Sequence, residues 1–151
     1  VGPIDENTPC NPRNPYGIAK NFLRQAMFDF ASVTPELNLQ WLRFYYITGD
    51  DRFSNSIFTK ILKAEDEGQE FFPLNSGEML YDFIDIEELS AQIEERISSK
   101  QSGIFNCCSG KPKSLRTAVE EFIAVHNLKI KPKYNVFPAR PYDSMAVWGK
   151  K

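Results

Sequence analysis

Tyr16 and Lys20 stand four residues apart in the run Asn14-Pro15-Tyr16-Gly17-Ile18-Ala19-Lys20. On a helix, that spacing puts both side chains on one face, within reach of each other. A free tyrosine, with a pKa of ~10, is a poor base at neutral pH. A neighbouring ammonium favours the phenolate. Making it a base near pH 7 takes roughly 4 kcal/mol from the surroundings. A lysine supplies part of this and a cationic cofactor more. The pair suits proton transfer from an alcohol during hydride chemistry, provided a helix holds it.

The flanking residues predict that helix. Asn14 is a good N-cap, and Pro15 suits the first helical position, where its missing N–H is not needed. From there to about Ala31 there is no further proline and one glycine. Two adjacent stripes, Tyr16, Lys20, Leu23, Met27 and Ile18, Phe22, Ala26, Phe30, predict a helix docked on a core with the pair at its exposed start.

Downstream, strands and helices alternate, which argues for an α/β fold. Residues 39–47 read as a buried strand. Ser54 is placed to cap a helix with Ile57, Phe58, Ile61 and Leu62 inward, ending at Gly68. Residues 71–74 and 82–86 read as short strands around an Asn75-Ser76-Gly77 turn. A helix over 87–97 turns Leu89, Ile93 and Ile97 inward, and 103–107 is another strand. Ser114 caps a helix carrying Leu115, Ala118, Val119, Phe122 and Ile123. Residues 134–137 read as a last strand, and the proline-rich start and the 138–149 tail as loops over a site.

Glu6-Asn7-Thr8-Pro9-Cys10-Asn11-Pro12-Arg13-Asn14-Pro15-Tyr16-Gly17-Ile18-Ala19-Lys20 resembles the active-site segment of extended short-chain dehydrogenases/reductases. These are NAD(P)-dependent epimerases, dehydratases and reductases of nucleotide sugars. The likeness continues in order. Leu42-Arg43-Phe44-Tyr45-Tyr46-Ile47-Thr48-Gly49 is similar to the strand after the catalytic helix. Gly77-Glu78-Met79-Leu80-Tyr81-Asp82-Phe83-Ile84-Asp85-Ile86 is similar to the segment that wraps the nucleotide. Gly103-Ile104-Phe105-Asn106-Cys107-Cys108-Ser109-Gly110 resembles the late strand and turn, and Arg140-Pro141-Tyr142-Asp143 the place of a second phosphate-binding arginine.

The resemblance implies the C-terminal part of a Rossmann-like fold with the small substrate-binding lobe, lacking the N-terminal dinucleotide-binding half. It implies NAD or NADP as cofactor and a nucleotide sugar as substrate. Tyr16 would be the acid/base at a ring hydroxyl, and Lys20 would lower its pKa and hold the nicotinamide ribose. Phe44 and Tyr45 would line the cofactor side. Tyr46, Tyr81 and Arg140 would meet the substrate, Arg140 as a bidentate partner of the diphosphate. Tyr46 and Tyr81 depart from the asparagine and arginine common at their positions, and Asp50 from the proline after Gly49. A homodimer through the Tyr16 helix is expected.

Such chemistry needs a dinucleotide, and the fold grips it with a Gly-rich strand-to-helix turn. The eight glycines here are scattered and form no such turn. The fragment is therefore expected to be inactive alone. The alternative is a non-catalytic nucleotide-sugar-binding module.

Composition fits one domain with a real core: 151 residues, 42% hydrophobic. A net charge of −2 gives no support to nucleic acid or an anionic membrane as partner. No apolar run is long enough to span a bilayer. Three cysteines, with Cys107 and Cys108 adjacent, suggest buried small hydrophobes in a reducing cytoplasm rather than a disulfide framework. A single histidine, His126, and no Cys-x-x-Cys argue against zinc, and no metal is expected. Asp50-Asp51 read as a polar turn, Glu65-Asp66-Glu67 and Glu94-Glu95 as solvated helix faces, and Lys111 to Lys133 as a diffuse basic set.

Overall fold

A computed structural model describes residues 2–49, 53–138 and 144–151. Strand β1 (Gly2–Ile4) leads through a proline-rich loop into helix α1 (Pro15–Ser32). Then come β2 (Gln40–Phe44), β3 (Tyr46–Thr48), α2 (Ile57–Asp66), β4 (Phe71–Pro73), β5 (Leu80–Asp85) and α3 (Ile86–Ser99). The elements β6 (Gly103–Cys107), β7 (Pro112–Ser114), α4 (Leu115–Val125), β8 (Lys131–Lys133) and β9 (Ala146–Gly149) follow. These four helices start at side-chain caps, Asn14, Ser56, Asp85 and Ser114, each satisfying an N–H that the helix leaves free. Asn14 Oδ1 accepts the Gly17 N–H at 2.7 Å. Asn14→Ala is expected to cost about 1 kcal/mol of stability, read as a shift of the urea midpoint.

Strand β5 organises the sheet. It runs parallel to β3 (Tyr46↔Phe83) and to β9 (Tyr81↔Val147), and β7 lies antiparallel beside its first half (Tyr81↔Lys113). With β1 parallel to β9, these form a five-stranded sheet of order β1-β9-β5-β3, β7 lying off this path. Two smaller parallel pairs are β2–β6 and β4–β8. The main core joins Phe58, Ile61 and Ala64 of α2 to Leu115, Ala118 and Val119 of α4, with Leu74 and Ile130. A second core joins Ile84, Leu89 and Cys107 between β5, α3 and β6. The α/β class expected from the sequence is what the chain adopts.

Several local expectations are corrected. The single buried strand over 39–47 is two strands, because the chain leaves β6 as partner and joins β5 at Tyr45. Phe44 and Tyr46 on either side of that break are each 49% exposed. Helix α1 has no buried residue, and its apolar stripes point outward: Phe22 is 71% exposed and Phe30 58%. Gly17, Asn21 and Arg24 instead face Trp41 and Arg43 of β2 across a shallow depression.

Ser56 rather than Ser54 caps α2, because Ser54 Oγ is taken by the Ser56 N–H and Thr59 Oγ1. Ala64 is buried in α2 where Leu62 is only half-buried. Ile97 is exposed, since α3 meets its core earlier through Leu89 and Ile93. Residues 134–137 are a turn with Asn135 at φ 60°, and the strand is β8 just before it. The start and the tail, expected as loops, contribute β1 and β9, which pair with each other. Glu65 is not merely solvated: its carboxylate accepts the N–H groups of Lys129 and Ile130 at 3.0 and 2.7 Å.

Candidate functional site

The break between β2 and β3 opens a groove of about 510 Å³. One wall is Ile4 and Val147 from β1 and β9; the other is the loop Thr8, Pro9 and Cys10. Phe44, Tyr45 and Tyr46 form the floor, where the chain passes from β6 to β5. The carboxyl end of a strand that changes partners is where α/β sheets open a crevice for ligands.

The loop is fixed by Arg43. Its guanidinium donates to the carbonyls of Asp5 (3.0 Å) and Thr8 (3.5 Å) and approaches Cys10 Sγ at 3.4 Å. Thr8 Oγ1 donates to the Asp5 carboxylate at 2.8 Å and accepts the Asp5 N–H at 3.1 Å. The Thr8 hydroxyl thereby holds the Asp5 carboxyl below its ordinary pKa.

Two buried polar residues hold the walls together. Asn106 Nδ2 donates to Ile4 O (2.8 Å) and Lys150 O (3.3 Å), and its N–H reaches Glu6 at 3.2 Å. Its Oδ1 accepts the Tyr45 hydroxyl at 3.4 Å. Asp82 accepts the Ser109 N–H and hydroxyl and the N–H groups of Gly110 and Gly149, at 2.6 to 3.0 Å. Gly149 admits no side chain: a Cβ there would stand 2.5 Å from Cys108 Sγ and 2.9 Å from the Tyr45 ring. The sequence reading assigned no role to Asp82 or Asn106. Their signal was a lone polar residue inside an apolar strand, Leu80-Tyr81-Asp82-Phe83-Ile84 and Gly103-Ile104-Phe105-Asn106-Cys107.

Burial pushes the Tyr45 hydroxyl up to about 12, with Cys108 and Asp82 adding to the effect. At neutral pH it stays protonated and serves as a wall and a donor, not a base. Burial likewise takes the Cys108 thiol up to about 11, and Cys107 and Cys108 are fully buried, as small hydrophobes are.

Tyr16 and Lys20 lie on the first turns of α1, with Lys20 Nζ 5.8 Å from the Tyr16 ring centroid. Tyr16 is 74% exposed. Lys20 lines a second depression of about 350 Å³ that shares Cys10 and Arg43 with the groove. The fold thus brings Phe44, Tyr45 and Tyr46 together, with Lys20 beyond the Cys10 loop; Tyr16 lines neither depression. Tyr81 stands behind Tyr46, ring centroids 4.4 Å apart. Arg140, Asp50 and Asp51 lie outside the described residues.

His126 caps the end of α4, its Nδ1 3.0 Å from Phe122 O and its ring 4.1 Å from that of Phe122. Among the described residues no three His, Cys, Asp or Glu side chains converge as a metal site, and no helix is long and apolar enough to cross a membrane.

The residues present fit one end of a dinucleotide. Exposed Lys20 offers a donor for ribose hydroxyls, and Phe44 and Tyr45 offer flat apolar surface for a nicotinamide. The Gly-rich turn that takes a pyrophosphate is not among these 151 residues.

Known proteins resemble the chain along its whole length. It is 91% identical over 151 residues to a dTDP-6-deoxy-L-talose 4-dehydrogenase (NAD(+)) of Aggregatibacter actinomycetemcomitans, covering all of this chain and 56% of that protein. A putative UDP-arabinose 4-epimerase of Arabidopsis thaliana is 27% identical over 170 residues, covering 97% of this chain and 38% of the relative. In structure, the UDP-N-acetylglucosamine 4-epimerase from Methanobrevibacter ruminantium M1 matches with a TM-score of 0.83 at 23% identity, covering 98% of this chain and 48% of that one. The chain therefore spans about half the length of the proteins it matches. It has the fold of the corresponding part of that Rossmann-like neighbour. The model of the NAD dependent epimerase/dehydratase family matches residues 1–108, and the chain belongs to that family.

Proposed function

We propose that the intact protein is an NAD(+)-dependent nucleotide-sugar dehydrogenase that oxidises the ring C4 hydroxyl of a dTDP-linked 6-deoxyhexose. Residues 1–151 form its catalytic-helix and substrate-binding half and are inactive alone. The observation that carries this reading is 91% identity, over the full chain, to the dTDP-6-deoxy-L-talose 4-dehydrogenase.

In this reading Tyr16 removes the hydroxyl proton while the C4 hydrogen leaves as hydride. The Lys20 ammonium favours the phenolate and holds the nicotinamide ribose. Phe44 and Tyr45 bound the cofactor side, and Tyr46, Tyr81 and Arg140 meet the nucleotide sugar. When bound, NAD supplies the hydride acceptor. The exposure of Tyr16 and Lys20 supports the assignment, since both must reach groups outside the described chain.

A homodimer through α1 belongs to the same proposal, supported by Ile18, Phe22 and Phe30, which form an exposed apolar face on a helix otherwise rich in polar residues. A cytoplasmic setting is supported by three free cysteines.

The test is calorimetric titration of NAD into the full-length protein and into residues 1–151, with NADH formation on adding dTDP-6-deoxy-L-talose. Binding and turnover by the full-length protein, and neither by the fragment, are expected. A full-length protein that binds the nucleotide sugar but no dinucleotide would refute the reading and leave a non-catalytic binding module.

A further inference from the structure

The groove floor carries information about the sugar beyond its reacting carbon. Tyr46 lines the groove and is half exposed to it. Its ring is held from behind by a series of aromatic contacts: Tyr81 at 4.4 Å, Phe83 at 5.8 Å, then Phe83 against Phe58 at 5.9 Å in the main core. The register of β3 on β5 places Tyr46 beside Phe83, and that of β9 places Val147 beside Tyr81, so these side chains share one face of the sheet.

The neighbouring walls are apolar as well: Ile4, Val147, Phe44 and Pro9. Among the described lining residues Arg43 is the sole cation, and its guanidinium is already engaged by the Asp5 and Thr8 carbonyls. A hydroxyl or carboxylate brought against this surface would lose water without gaining a partner, whereas a methyl group would gain contact area.

Resting on the reading above, we propose that Tyr46, braced by Tyr81, sets substrate specificity by packing against the exocyclic C6 of the sugar. It selects the methyl of a 6-deoxyhexose over a 6-hydroxyl or 6-carboxylate. The catalytic step is unchanged; the ring face decides which sugars are held for it. Discrimination of a methyl from a hydroxyl by an apolar surface is worth on the order of tenfold to a hundredfold in kcat/KM.

The experiment compares dTDP-6-deoxy-L-talose with dTDP-L-talose, its 6-hydroxy analogue, as substrates of the full-length protein, with NAD binding measured in parallel. The wild type should prefer the 6-deoxy sugar by about tenfold or more. Tyr46→Phe should keep that preference, Tyr46→Asn should bring it to within about threefold, and Tyr81→Ala should lower it by loosening the ring. NAD affinity should stay unchanged in all three.

A wild type that oxidises both sugars equally, or a Tyr46→Asn protein that binds NAD and keeps the full preference, would overturn the specificity role while leaving the dehydrogenase reading intact. A wild type that oxidises neither would overturn both.

Discussion

Tyr16→Phe in the full-length protein should lower kcat by about a thousandfold and leave NAD affinity unchanged, as expected on removal of a positioned acid/base. The variant loses one oxygen from a side chain that is 74% exposed, so stability should not change. The argument rests on geometry. Asn14 fixes where α1 begins, Pro15 and Gly17 complete its first turn, and the four-residue spacing holds Lys20 Nζ 5.8 Å from the Tyr16 ring. Lys20→Met should behave differently, lowering kcat and weakening NAD binding together, because its ammonium is assigned to both the phenolate and the ribose. If Tyr16→Phe retained more than about a tenth of wild-type turnover, proton transfer would have to be assigned elsewhere. Tyr45 could not take it over, since its hydroxyl titrates at about 12.

Asp82→Asn is expected to be the most destabilising conservative change in the chain. The carboxyl group is fully buried, one oxygen accepting the Ser109 N–H (2.7 Å) and hydroxyl (2.6 Å). The other accepts the N–H groups of Gly110 and Gly149, each at 3.0 Å. An amide keeps one acceptor and turns an NH₂ group toward two donors. Each buried donor left unpaired costs about 1–3 kcal/mol, so the loss should be about 3 kcal/mol or more. That is a large share of the 5–15 kcal/mol typical of a folded protein. It should exceed the Asn14→Ala effect about threefold in urea unfolding. Because the lost bonds anchor β9 and the turn after β6, the Val147 wall should loosen, and KM for the sugar should rise more than kcat falls.

Long or well-capped elements were legible in the sequence. Asn14-Pro15 marked the start of α1, Ser114 that of α4, and the run from Gly103 to Cys107 gave β6 with its observed ends. The short strands were not. β1, β7 and β8 are three residues long and each contains a proline, Pro3, Pro112 and Pro132. They exist because of partners far along the chain, as when Gly2 meets Val147. No local periodicity encodes such a pairing.

The stripes of α1 were read correctly as apolar and wrongly as docked. Amphipathicity states that a face wants cover, not that the same chain provides it. The same distinction holds at the site. Spacing alone juxtaposed Tyr16 and Lys20, because a helix fixes neighbours four residues apart. The Tyr46–Tyr81 contact depends on the register of β3 and β9 on β5, and the contacts of Asp82 on where the tail returns. Both are tertiary facts that the residue types could not announce.

The most direct test of the central claim follows a label. Full-length protein would be given NAD and dTDP-6-deoxy-L-talose carrying deuterium at C4 of the sugar, and the products read by mass spectrometry. The account predicts deuterium in NADH and a 4-keto sugar without it. Deuterium retained at C4, or lost to water with no NADH formed, would contradict it.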